Sequence, residues 1–124
     1  MIFDKDDNIT TVYQENVSLG KFLEDLKGAY PQIKNDNIIV NLFSFSKLTA
    51  NDMLEFLELS DTHRKANKSF VLVTDKVSYD EAPEDICVVP TLREAKDIIG
   101  MEEIERELDL WTSNHNPPTA KAGI

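Results

Sequence analysis

Paired nucleophiles and bases, metal-ligand clusters, glycine-rich loops and long apolar runs are all missing from this chain. One cysteine, Cys87, stands among 124 residues. A lone thiol closes no intramolecular disulfide, which fits a reducing cytosol. Because it lies inside Ile86-Cys87-Val88-Val89, it reads as a small buried hydrophobe. The two histidines, His63 and His115, have no second ligand at useful spacing, so neither a metal nor a metal-dependent hydrolase is expected. The four glycines are scattered, and no loop is built to cradle phosphate. No apolar run approaches membrane-spanning length. The opening Met1-Ile2-Phe3-Asp4-Lys5-Asp6-Asp7 has neither the basic start nor the apolar centre of a signal peptide. Positive charge is scarce as well: 13 Lys and Arg face 23 Asp and Glu, a net charge of −10. That balance argues against nucleic acid, whose phosphates need clustered cations, and against an anionic membrane surface. What remains is one acidic cytoplasmic domain, large enough to bury a core without staples and expected to carry no cofactor.

The residues that are present alternate between strand and helix signals. Ile2 and Phe3, a turn cluster at Asp6, Asp7 and Asn8, and then Ile9-Thr10-Thr11-Val12-Tyr13 predict a hairpin. Ser18 caps a helix whose apolar face is Leu19, Phe22, Leu23 and Leu26, with Gly28 and Pro31 expected to stop it. Ile38-Ile39-Val40-Asn41-Leu42 reads as a central strand covered on both faces. A second helix is expected from about Ala50 to Ala66, with Met53, Leu54, Phe56 and Leu57 inward. Ser69-Phe70-Val71-Leu72-Val73-Thr74 and Ile86-Cys87-Val88-Val89 complete the strands. Between them, the charged segment with Pro83 allows at most a short helical turn. Thr91 and Glu94, just after Pro90, form a capping box at the start of the last helix.

That last helix carries two apolar stripes. Leu92, Ala95, Ile98 and Ile99 form the first. Beyond Gly100, where a bend or break is expected, Met101, Ile104, Leu108 and Trp111 form the second, with Glu102, Glu103, Glu105, Glu107 and Asp109 between them. The second stripe either folds back over the domain or is presented to a partner as a helix-in-groove ligand. Asn114-His115-Asn116-Pro117-Pro118 and the residues after it read as disordered, so the domain is placed at 1–111 and a tail at 112–124.

The order of elements resembles the STAS domain of anti-sigma-factor antagonists and sulfate transporters, over nearly the whole chain up to about Leu110. Ile38-Ile39-Val40-Asn41-Leu42 is similar to the family's central strand, and Phe70-Val71-Leu72-Val73 to the next. Val89-Pro90-Thr91-Leu92-Arg93-Glu94-Ala95 resembles its last helix, which commonly opens Thr-x-x-Glu-Ala. Met101-Glu102-Glu103-Ile104-Glu105-Arg106-Glu107-Leu108 resembles the tail of small STAS-like bacterial proteins catalogued with ribonuclease Z. The resemblance implies an α/β fold: a mixed sheet with a parallel core, an N-terminal antiparallel hairpin and about four helices.

It also locates a departure. Leu48-Thr49-Ala50-Asn51-Asp52-Met53-Leu54 stands where the family has a Leu-Asp-Ser-Ser-Gly-Leu loop, whose second serine accepts phosphate from an anti-sigma kinase in antagonist members. Such a phosphate adds nearly two negative charges. Ala50 and Asn51 offer no hydroxyl, and Thr49 with Asp52 makes an ordinary helix cap. A phosphoreceiver reading fares worse, with Asn41 where its acceptor Asp would stand and Pro90-Thr91 where its Lys would stand. The expected function is therefore a non-catalytic protein-interaction module, a STAS domain degenerate at its acceptor loop. Its partner surface would be Thr49, Asn51, Asp52 and Glu55, facing an anti-sigma-like kinase. A companion of an RNA-processing enzyme, bound through Met101, Ile104, Leu108 and Trp111 on the acidic helix, is the second reading. A small-anion or nucleotide-binding STAS domain is the third. A homodimer is left open.

Overall fold

The computed structural model describes residues 1–78 and 80–115, with side chains through Asp109. Strands β1 (Ile2–Asp6) and β2 (Ile9–Tyr13) form the expected hairpin, paired Phe3 to Val12 and Lys5 to Thr10. Asp7 turns the chain with a φ of 57°, a left-handed conformation that Asp tolerates better than most residues. Helix α1 (Leu19–Ile33) follows, and its first turn is capped by the Ser18 Oγ, which accepts from the Lys21 N–H at 3.1 Å. The expected stop at Gly28 and Pro31 is corrected: α1 continues through both to Ile33. Burial of Ile33 and a hydrogen bond from Tyr30 to His63 hold the last turn against the loss of one proline donor.

Strands β3 (Asn37–Asn41), β4 (Phe70–Val73) and β5 (Cys87–Val89) extend the sheet in the order β1-β2-β3-β4-β5, with every pair after the hairpin parallel. Alternate residues of β3 and β4 serve two cores, because successive side chains point to opposite faces. Ile38, Val40, Phe70 and Leu72 join Phe22, Leu26, Met53 and Phe56 beneath the first three helices. Ile39, Val71, Val73 and Val89 instead meet Ala95 and Ile99 of the last helix. Double coverage explains why these strands read as unbroken apolar runs.

The single helix expected from Ala50 to Ala66 is two: α2 (Ala50–Leu54) and α3 (Leu57–Lys65). Between them the Glu55 and Phe56 N–H groups bond to Asp52 and Met53, three residues back, which tightens the turn. Met53 and Phe56 become fully buried, whereas Leu54, expected inward, is 46 % exposed. Helix α4 (Leu92–His115) runs unbroken through Gly100, where a bend or break was one expectation, and passes the expected domain end at Trp111. With 24 residues it is roughly 36 Å long, about twice the length of any strand here. The rest of the expected tail lies outside the described residues. No helix of the described residues is long and apolar enough to cross a membrane.

Candidate functional site

The loop between β3 and α2 leaves the sheet at the carboxyl ends of the parallel strands, where α/β sheets place their ligands. It is fixed from both sides. The Asn41 Oδ1 accepts from the Phe43 N–H at 3.0 Å, turning the chain as it leaves the strand. Leu42 and Leu48 are buried and anchor the loop's two ends. Ser44, a candidate for modification by type alone, donates its hydroxyl to the Gln14 carbonyl at 2.7 Å.

Thr49 closes a reciprocal capping box. Its Oγ1 accepts from the Asp52 N–H at 3.2 Å, and the Asp52 Oδ2 accepts from the Thr49 N–H at 2.9 Å. Both side chains are thus committed to starting α2. Asn51 and Glu55 are exposed, and Asp52 is half-buried. Along a helix, Asn51, Leu54 and Glu55 share a face at i, i+3 and i+4. Thr49, Asn51, Asp52 and Glu55, expected at a partner surface, thus lie on one loop-to-helix segment, and two apolar residues of the same stretch that sequence reasoning missed, Leu54 and Phe43, are each 46 % exposed. A loop aromatic between two buried leucines carries no periodic signal, and Leu54 falls inside the apolar arc that a single helix would make with Met53, Phe56 and Leu57.

The opposite end of the sheet holds a polar cluster whose members are paired with one another. Asn37 and Ser69 are buried at the starts of β3 and β4, where the Asn37 Oδ1 accepts from the Ser69 N–H at 2.8 Å. Helix α4 reaches down to them. Ser69 donates to the Glu102 Oε1 at 2.6 Å, and Arg64 donates to the Glu102 Oε2 at 3.2 Å. Glu103 accepts from Asn8 and Asn37, and Arg106 donates to Ser69 at 3.1 Å and to Asn37 at 3.4 Å. Each carboxylate has its donors and each guanidinium its acceptors, so the cluster fastens the helix.

His63 is fully buried nearby. Its Nε2 lies 2.7 Å from the Asp36 carbonyl, which can only accept, so the proton sits on Nε2 and Nδ1 accepts from the Tyr30 hydroxyl at 2.7 Å. Burial pushes its pKa below the ordinary 6.5; the hydrogen bond to the Asp36 carbonyl opposes this, and the cations of Lys68, Arg64 and Arg106 add to the lowering. With both nitrogens occupied and no exposed edge, the ring is a packing element. Cys87, half-buried beside a cavity of about 720 Å³ along the β5 edge, has its thiol pKa raised by burial. That cavity is bordered by Asp75, Asp80, Glu84 and Glu94, a charge that repels anions. Among the described residues no three His, Cys, Asp or Glu side chains gather as a metal site.

The apolar stripe of α4 lies elsewhere. Met101, Ile104 and Leu108 are 56 %, 58 % and 59 % exposed, while the side chain of Trp111 lies outside the described set.

No family model and no curated protein matches the chain. Among solved structures, it is similar to a serine-to-glutamate variant of RsbS from Moorella thermoacetica, at a TM-score of 0.59 and 14 % identity, over 85 % of this chain and 97 % of that one. At that identity the likeness concerns the fold, and the fold is STAS-like: an α/β arrangement with a five-stranded mixed sheet, antiparallel only at β1 and β2, and four helices.

Proposed function

We propose that this chain is a non-catalytic protein-interaction module, an anti-sigma-factor-antagonist-like STAS domain without the phosphorylatable serine. One observation carries the reading: at the carboxyl end of the parallel strands stands a pinned loop whose hydroxyl and carboxylate, Thr49 and Asp52, are spent on a helix cap, leaving the carboxamide of Asn51 outward. Ala50 and Asn51 carry no hydroxyl where the family's acceptor serine would stand, so no phosphoryl group at that position switches the binding. The docking surface comprises Thr49, Asn51, Asp52 and Glu55, with Phe43 and Leu54 supplying the apolar contact that an interface centre needs. Its partner is an anti-sigma-like kinase or a protein with a similar docking face.

The test is incubation with such a kinase and ATP, followed by intact-mass analysis and a binding titration. Binding without added phosphate, weakened by Leu54→Asp, is the expected result. Phosphate on Thr49, or binding indifferent to Leu54→Asp, overturns it.

A further inference from the structure

The inner and outer faces of α4 exchange character halfway along its length. At about 100° per residue, Glu102, Glu103 and Arg106 continue the row of Leu92, Ala95 and Ile99, and Met101, Ile104 and Leu108 fall roughly half a turn away. The first half turns its apolar side to the sheet and the second half turns its polar side there. Rotating the second stripe inward would break the ion pair of Arg64 with Glu102 and leave Asn37 and Ser69 buried without their partners on α4, so the apolar row is held outward. Its spacing of three and four, continued by Trp111 three residues on, is that of a helix–helix seam.

We propose that this row of α4 docks a helix from another protein, one whose apolar seam is flanked by Lys and Arg. Glu105, Glu107 and Asp109 border the row and are exposed; they attract a basic flank. A second copy of this chain is a poor occupant, since it would set these carboxylates against their own kind on a chain of net charge −10. The site is separate from the loop ahead of α2, so either can fail without the other.

The experiment titrates the full chain with a synthetic amphipathic helix bearing Leu at its seam and Lys on both flanks, and with the same peptide carrying Glu flanks. The single tryptophan, Trp111, reports coverage of the row by its emission. Expected are a blue shift with the Lys-flanked peptide only, a loss of affinity with added salt, and about tenfold weaker binding for Ile104→Asp and for Leu108→Asp, with their melting temperatures unchanged. Met101→Ser serves if either aspartate variant fails to fold. Equal binding of both peptides, no binding, binding indifferent to the substitutions, or a sedimenting dimer that the substitutions dissolve would each overturn the assignment.

Discussion

Thr49 and His63 are each satisfied at both ends, and each pairing sets what a substitution does. Thr49→Ala removes the acceptor for the Asp52 N–H and should lower unfolding stability by about 1 kcal/mol in a urea titration, with Thr49→Ser close to the parent. Tyr30→Phe leaves the buried Nδ1 of His63 without its donor, for an expected loss of about 1–3 kcal/mol. His63 also sets a pH dependence. Burial depresses its native pKa below 6.5, so the unfolded chain binds the proton more readily than the folded one. Its contribution is intact above about 6.5, falls as the pH drops below that value, and stops falling once the pH is under the native pKa. Denaturation midpoints measured from pH 7.5 down to 5 should show this slope, and His63→Phe, though less stable at neutral pH, should flatten it.

Helices were legible in the sequence where a local signal marks an end, and illegible where a distant contact decides. Ser18 and Thr91 announce their helices because a short hydroxyl three residues ahead of a free N–H needs nothing else. The division between α2 and α3 has no glycine or proline to betray it. A single helix would also bury Met53 and Phe56, three residues apart on one face, so their burial does not mark the division either. In α4, the apolar residues after Gly100 read equally as a core face or as a partner's face, and the choice is made by pairs far apart in sequence that build the inner face, Arg64 with Glu102 and Asn37 with Glu103. Treating α4 as one uninterrupted helix from Leu92 would have carried the inward row onto Glu102, Glu103 and Arg106. Gly100 suggested the break that hid this. A Cβ there meets nothing within 4 Å, so Gly100→Ala should raise stability by up to about 1 kcal/mol in the same titration. Glu102→Ala, by contrast, leaves Arg64 with only the Phe70 carbonyl and the buried Ser69 hydroxyl without its acceptor and should lower it by about 1–3 kcal/mol.

For the molecule as a whole, the hairpin and the two-faced central strands were legible in turn residues and apolar runs, whereas the exposed Phe43 and Leu54 depended on tertiary packing that no local pattern encodes. Truncation separates anchored from projecting parts of α4. A chain ending at Asp109 keeps Glu102, Glu103 and Arg106 on the sheet and should melt like the parent. One ending at Gly100 loses every one of those contacts and should melt several degrees lower by circular dichroism. The two layers over the sheet are also unequal: three helices on one side, α4 by itself on the other. Amide hydrogen exchange should register this imbalance as a cooperative opening in which α4 peels away first, unprotecting its own amides and bringing water to Ile39, Val71 and Val73 while α1 and the central ladder keep their protons.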